Sequence, residues 1–285
     1  AEAGDVGDER CIAAVGECLE DAGPDVRRAA SRALVRLVER GAQRSTVAAT
    51  CRSRLTRGTE AMRSVAAEAL AELAVPGDAE TIMALSAACF EEDASIAFLR
   101  TCLGALSSAA TGTGDGRAMA VVGVCLDDGR IEVRRAAVAA LGLVAAGRAD
   151  GKAVGLASAR LVHPSAEVRL TAVEAVMAVA QPGDARAVAA LGLALEDERS
   201  EVRRAAAAAL GRIDERGSQR ALEVVLQRVT HAFSDVRCTA VEALPEVAAK
   251  GDARAIDALN GRLQDTMMDV RQAAKTALRK LAVAE

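Results

Sequence analysis

The sequence predicts an all-α protein in which one two-helix unit repeats along the chain, and three observations support this. First, alanine dominates the apolar half of the 285 residues, and alanine has the highest helix propensity. Second, Trp and Tyr are absent and Phe occurs three times, so the aromatic strand formers are almost missing. Third, alanine-rich segments that end in a leucine recur at a nearly constant spacing, which is the signature of a repeat architecture.

The repeat is defined by the apolar residue that ends each alanine-rich segment. These residues are Leu34, Leu70, Leu106, Leu141, Val176, Leu210, Leu244 and Leu278. Their spacing falls from 36 to 34 residues along the chain, and no linker is long enough to divide the array. We therefore expect a single domain over residues 1–285, with repeats at approximately 7–40, 41–76, 77–113, 114–148, 149–182, 183–216, 217–250 and 251–285.

Each repeat is predicted to begin where a glycine ends the preceding helix and an Asp or Ser caps the next one. The pairs are Gly7-Asp8, Gly77-Asp78, Gly114-Asp115, Gly183-Asp184, Gly217-Ser218 and Gly251-Asp252. Two repeats deviate, because Gly41 precedes Ala42 and Asp150 follows Ala149. A first helix of about a dozen residues follows each pair and ends near a leucine or another large apolar residue.

In six of the eight repeats, a second helix begins near an acid-Val-Arg triplet, such as Asp25-Val26-Arg27 or Glu201-Val202-Arg203. Along it, apolar residues recur at helical spacing and form one stripe. A single helical hairpin cannot cover such a stripe, so neighbouring repeats must stack and share a core. The pattern therefore predicts an α-solenoid.

The recurring motif consists of L-x-D, then V-R-x-A-A-x-x-A-L, with the arginine six residues after the aspartate. Tetratricopeptide repeats would need Trp and Tyr, and ankyrin repeats a TPLH-like turn, and both are absent. The motif resembles HEAT repeats, especially the short type of phycobilisome-lyase-like proteins, over all eight units. This resemblance implies a right-handed α-solenoid.

The resemblance also implies a structural role for the spaced acids and arginines, which line up along the stack in HEAT proteins and bridge turns and neighbouring repeats. Arginine suits this role because its guanidinium binds a carboxylate and turn carbonyls together. We call these acid and arginine positions the ladder. The corresponding pairs are Asp21 with Arg27, Asp128 with Arg134, Asp197 with Arg203, and Asp265 with Arg271. His163 before Arg169 and His231 before Arg237 take the position of the acid, so we expect them to be structural. Arg57 replaces the acid before Arg63, and Phe98-Leu99 displaces the Val-Arg pair of the third repeat.

Other features of the sequence argue against several functional classes. The formal charge of −4 is mild and the charges are interspersed, which does not favour nucleic acid or an anionic membrane. Seven scattered cysteines without a CxxC pair favour buried thiols in a reducing intracellular compartment over a zinc site. No phosphate-binding loop, nucleophile elbow or zinc-protease motif occurs. The resembling deoxyhypusine hydroxylases carry His-Glu pairs, whereas His163 precedes Pro164 and His231 precedes Ala232. We expect no catalytic site, metal or cofactor.

The residues five positions after each Val26 equivalent suggest a binding surface, because they lie away from the centre of the apolar stripe. They are Ser31, Ala67, Leu103, Val138, Val173, Ala207, Val241 and Lys275, and Leu170 and Met177 lie on the same side. Either they form an apolar strip along a concave groove, or they pack against the next repeat and the polar ends mark the caps. A basic column, Arg28, Arg100, Arg135 and Arg204, lies one position after the ladder site, which the third repeat fills with Leu99 instead of an arginine.

From these features we predict a non-catalytic scaffold that binds another protein along its concave helical surface. The candidate binding residues are Leu103, Val138, Leu170, Val173, Met177, Val241, Arg100, Arg135 and Arg204. Two alternatives remain open: a bilin lyase-like protein, implied by the resemblance alone, and a nucleic-acid binder. Binding of pigment would identify the first, and binding that weakens steeply with added salt would identify the second. The first residues, AEAGDVGDER, lack a signal-peptide pattern and fit a processed start or a fragment of a longer chain.

Overall fold

The computed structural model describes residues 9–91, 94–148, 151–214 and 217–282, which form sixteen α-helices and no strand. The all-α prediction is confirmed. The chain divides into two compact units, Ala1–Arg148 and Ala149–Glu285. This division coincides with the predicted boundary between the fourth and fifth repeats, so each unit holds four repeats. One continuous domain and a right-handed superhelix remain predictions.

The first unit consists of four helical hairpins. Its helices are α1 Glu9–Glu17, α2 Pro24–Glu39, α3 Arg44–Arg54, α4 Glu60–Leu73, α5 Ala79–Ala88, α6 Ile96–Ala109, α7 Gly116–Leu126 and α8 Ile131–Val144. The second helices pack in the order α2, α4, α6, α8, and the first helices in the order α1, α3, α5, α7. The unit therefore has two layers of stacked helices, as an α-solenoid requires.

The second unit repeats this arrangement. Its helices are α9 Lys152–Ser158, α10 Ala166–Val179, α11 Ala185–Ala194, α12 Ser200–Ile213, α13 Gln219–Arg228, α14 Ser234–Val247, α15 Ala253–Arg262 and α16 Met268–Leu281. The second helices α10, α12, α14 and α16 pack in order, as do the first helices α9, α11, α13 and α15. No helix in either unit's described part has the length and apolar character needed to span a membrane.

The predicted glycine–cap pairs form the junctions between repeats. Asp78, Asp115, Asp184 and Asp252 cap the helices that follow them by accepting from backbone N–H groups. Ser218 makes no such cap bond, and its hydroxyl donates to Asp214 instead. Gly7-Asp8 and Ala149-Asp150 lie outside the described residues.

A junction glycine also closes its own repeat. Gly183, at a φ of +73° that favours glycine, donates its N–H to the carbonyl of Ile213 at 2.9 Å. Gly251 does the same to Leu281 at 3.0 Å. The bond uses a carbonyl at the C-terminus of the second helix, which has no partner within that helix. It therefore fixes the two ends of a repeat together.

The residues that define the repeat lie at the centre of the core. Leu34, Leu70, Leu106, Leu141, Val176, Leu210 and Leu244 are all at most 1% exposed. Leu278 of the last repeat is half-buried. Pro245, which the sequence places inside a second helix, is buried within α14, and α14 continues past it to Val247. The core stripe predicted from the sequence is therefore present in both units.

Candidate functional site

The ladder arginines bind the turn of their own repeat through backbone carbonyls. Each donates Nη1 to the carbonyls six and five residues earlier, at distances of 2.6–3.0 Å; the six are Arg27, Arg134, Arg169, Arg203, Arg237 and Arg271. The predicted pairing inside a repeat is therefore corrected: among the described contacts, the acid contributes its backbone carbonyl to this arginine. Its carboxylate has other partners.

In the second unit, the carboxylates of the ladder acids Asp197 and Asp265 instead bind the arginine of the preceding repeat. Arg169 donates Nε and Nη2 to Asp197 at 2.6 and 2.9 Å, and Arg237 contacts Asp265 in the same way at 2.9 and 2.8 Å. These side chains are at most 10% exposed. The bidentate contacts connect neighbouring repeats within the second unit, as the resemblance implied.

These pairs have electrostatic consequences that fit a structural role. The hydrogen bonds from Arg237 lower the pKa of Asp265 to about 2, and the amide of Met267 and the charge of Arg262 act in the same direction. Burial of the carboxylate alone would raise this pKa. The bonds to Asp197 and Asp265 raise the pKa values of Arg169 and Arg237. Arg169, Arg237 and Asp265 are thus held charged, and none of the three is poised to transfer a proton near neutral pH.

The two histidines replace the turn acceptor of the ladder acids. The amide of Ser165 donates to Nδ1 of His163 at 3.0 Å, and the amide of Phe233 to Nδ1 of His231 at 3.2 Å. The carboxylate of Asp197 accepts in the same way from the amide two residues on, at 2.8 Å. Both histidines therefore lie at structural turns.

The first unit has an interrupted ladder. Arg57 occupies the acid position and is exposed, and the buried Nε of Arg27 has no hydrogen-bond partner in the described part of the chain. Arg63 binds Glu91 of the next repeat and lies over the ring of Phe98, with 4.8 Å between guanidinium carbon and ring centroid. The third repeat has the buried Leu99 where the arginine would stand.

The predicted apolar strip is largely part of the core. Leu103, Val173 and Val241 are at most 3% exposed, so as binding residues they are corrected. The equivalent Lys275, in the last repeat, is exposed. Ser31 and Ala67 are also buried, and Ala207 is half-buried, so at most repeats the position packs against the rest of its unit. Val138, Leu170 and Met177 are half-buried and keep part of their surface accessible.

The basic column, in contrast, is exposed in both units. Arg204 bonds only its own helix, through the carbonyl and hydroxyl of Ser200 at 3.3 and 3.2 Å. Arg100 and Arg135 contact no acid and make no side-chain hydrogen bond within the described residues of the first unit. Two neighbouring second helices thus carry free guanidinium groups at equivalent positions, 35 residues apart.

These two arginines line an open groove of about 820 Å³ between α6 and α8. Besides the two arginines and Leu143, the lining consists of small or polar residues: Ala97, Thr101, Gly104, Ser107, Glu132, Ala136, Ala139 and Ala140. Leu143 is 46% exposed. The groove therefore offers positive charge, a shallow floor and one apolar contact.

Gly104 is the residue of this groove that sequence reasoning missed. It lies inside α6, where glycine costs roughly 1 kcal/mol relative to alanine. Close packing does not require it, because a Cβ at this position would meet no atom within 4 Å. The signal available in the sequence was a glycine within an alanine-rich helix, LRTCLGALSSA. Its structural consequence is open space on the floor of the groove.

The second unit has a groove of a different character, of about 630 Å³, beside the turn that contains His163 and Pro164. Val162 and Leu193 on its lining are 82% and 66% exposed. Its charged residues are already paired: Arg169 with Asp197 and Glu198, and Glu196 with Arg228. This groove therefore presents apolar surface without free charge.

The cysteines do not form a recognisable chemical site. All seven are free thiols, and Cys51, Cys89, Cys102 and Cys125 are buried. Burial raises the pKa of the Cys51 thiol to about 12, which makes it a poor nucleophile at neutral pH. No group of three or more His, Cys, Asp or Glu residues in the described ranges could hold a metal ion.

Comparisons with known proteins agree with this architecture. The family model of HEAT repeats matches residues 155–244 and 188–279. A chain in a structure of Kap95p, which binds RanGDP, is similar with a TM-score of 0.62 and 16% identity over 95% of this chain. This chain spans 40% of that one, and the likeness concerns the fold alone. Comparison with curated proteins gives no match.

Two further solved structures are similar at lower scores. Human deoxyhypusine hydroxylase in complex with glycerol has a TM-score of 0.39 and 19% identity, with 96% of each chain covered. A designed armadillo repeat protein in complex with the peptide (KR)4 has a TM-score of 0.40 and 22% identity, with 69% of this chain and 98% of that chain covered.

Proposed function

We propose that this chain, whose residues 155–279 match the family model of HEAT repeats, is a non-catalytic scaffold that binds a segment of another protein. The binding surface is the face of the second helices, and its centre is the groove between α6 and α8. The observation that supports this most directly is the pair of exposed, unpartnered arginines beside an open floor. The type of HEAT repeat, phycobilisome-lyase-like or otherwise, remains a resemblance.

The groove fits a polypeptide segment because of its shape and its lining. A backbone approaches closely only where side chains are small, and Gly104, Ala136 and Ala139 provide this along the floor. The partly exposed Leu143 adds an apolar contact for a side chain of the segment. The half-buried Leu170 and Met177 of the second unit are further candidate contacts on the same kind of face.

A non-catalytic role is supported by the state of the ionisable groups. The buried acids and arginines of the ladder are bonded to one another, and the histidine Nδ1 atoms accept turn amides. No nucleophile–base pair results from these contacts. The bilin lyase alternative has no observation in its favour.

The test is to block the groove without disturbing the core. Gly104→Trp fills the floor, and Gly261→Trp on α15 is the matched control, because a Cβ there also meets no atom within 4 Å. Proteins captured from native extracts are compared by quantitative mass spectrometry, and each candidate is then titrated as a purified protein. We expect a partner whose binding is lost with Gly104→Trp and kept with Gly261→Trp. Partners that bind both folded variants equally would contradict the proposal.

A further inference from the structure

The charged residues of the α6–α8 groove indicate the chemistry of the molecule that would bind there. Some other arginines of the first unit have acid partners: Arg28 lies 2.5 Å from Asp25, and Arg54 lies 3.1 Å from Glu20. Arg100 and Arg135 have no such partner among residues 9–91 and 94–148. Glu132 also lines the groove, so the groove carries two positive charges and one negative charge. Its electrostatic complement is an anionic group.

The spacing of the two arginines restricts the conformation of that anion. They occupy equivalent positions on packed neighbouring helices, whose axes are about 8–10 Å apart. A polyproline II segment rises about 3.1 Å per residue with three residues per turn, so residues i and i+3 project on one side about 9 Å apart. Two acids separated by two residues on such a segment would therefore reach both guanidinium groups.

We propose that the occupant of the α6–α8 groove is an extended acidic segment of a partner protein with the pattern acid-x-x-acid. The two carboxylates bind Arg100 and Arg135, the backbone crosses the floor at Gly104, and an apolar side chain beside them covers Leu143. This inference rests on the proposed function and specifies the chemistry of its partner.

A protein segment fits the groove better than a single-stranded nucleic acid does. Binding of such strands depends on aromatic side chains that stack on bases, and the groove contains none. Two positive groups at one fixed separation suit a short motif rather than a continuous polyanion.

The experiment is a selection from a random-peptide library displayed on phage, carried out on the full chain and on three folded variants. Arg100→Glu/Arg135→Glu reverses the groove charge, Gly104→Trp fills the floor, and Arg117→Glu is the control, because Arg117 is an exposed arginine of the same unit that lies on α7, outside the groove lining. Circular dichroism and thermal midpoints establish that each variant is folded. Selected peptides are then titrated by fluorescence anisotropy, beside an oligothymidylate probe.

We expect acid-x-x-acid peptides from the wild type and from Arg117→Glu. Each single Arg→Gln change should weaken their binding about tenfold, and the charge-reversed variant should select basic peptides instead. If the selected peptides lack acids but fail to bind Gly104→Trp, the acidic motif is wrong and the proposed function still holds. Peptides indifferent to both changes would overturn both proposals. Oligothymidylate binding that is tighter than peptide binding and lost on charge reversal would replace the acidic segment with nucleic acid.

Discussion

The two units differ at the ladder position and at the position that follows it. We propose that this difference separates arginines that stabilise the stack from arginines that bind a partner. In the second unit, Arg169 and Arg237 each bind the acid of the next repeat bidentately and are nearly inaccessible. In the first unit, Arg27 lacks such an acid because Arg57 occupies its place. One position further along the helix, the first unit has the free Arg100 and Arg135. The regular ladder thus coincides with the region matched by the family model, and the free charges lie outside it.

The largest effect is expected from breaking a buried pair of the regular ladder. Asp265→Ala leaves the charge of Arg237 buried without its partner, which typically costs about 3–5 kcal/mol. Hydrogen exchange of α14 and α16, followed by mass spectrometry, should show local destabilisation of that size. The exposed Asp257→Ala on α15 is the control and should change protection little. Equal protection in both variants would show that the pair does not stabilise the stacking.

The same pair predicts a dependence of stability on pH. The folded-state pKa of Asp265, about 2, lies below its usual value of 3.8, so its contribution is present above about pH 4 and is lost as the pH falls towards 2. The size is about 2 kcal/mol at neutral pH. Urea unfolding monitored at a series of pH values should show this loss in the wild type. The loss should be smaller in Asp265→Asn, and identical pH profiles would contradict the assignment.

The sequence predicted the repeat well because the repeat depends on local information. Helix propensity, glycine–cap junctions and the leucine that ends each stripe all act within about 36 residues. The core residues were confirmed, and so were the caps at Asp78, Asp115, Asp184 and Asp252. The spacing of Asp197 and Arg203 also identified the ladder residues. It assigned the wrong partner, because the carboxylate binds an arginine 28 residues earlier and the stacking register determines that contact.

The binding surface was harder to predict for the same reason. Val173 and Val241 lie on the edge of a helical wheel, and only the next repeat decides whether that edge is covered. The free state of Arg100 likewise depends on which acids neighbouring helices bring close. In the sequence, Gly104 is only a residue of low helix propensity within α6, and the structure is needed to show the open space around it. Sequence patterns therefore predict the core, while contacts between repeats determine the site.

A third prediction tests whether a histidine weakens the ladder of the second unit. Among the acids of the described residues, Arg203 contacts the exposed Asp235 through a single oxygen at 3.3 Å, because His231 occupies the acid position of the next repeat. His231→Asp should supply a bidentate acceptor and keep the turn bond to the amide of Phe233. We expect a gain of about 1 kcal/mol, measured as increased hydrogen-exchange protection of α12 and α14. The control is His231→Asn, which keeps an acceptor at the turn without a charge, and an equal gain from it would contradict an ionic origin.

The smallest effect is expected from repairing the first unit. Arg57→Asp places an acid where the ladder lacks one, so that Arg27 gains a carboxylate and the amide of Thr59 gains a turn acceptor like the one that Asp197 provides. Arg57 is exposed and Arg27 is only half-buried, so the gain should be about 0.5 kcal/mol. Thr56→Asp adds an acid one residue earlier, outside the ladder position, and should give no such gain. Thermal midpoints at low and high salt would distinguish the two, because the gain from a partly exposed ion pair decreases with screening. A gain in both variants would mean that the change in net charge, rather than the completed ladder, stabilises the unit.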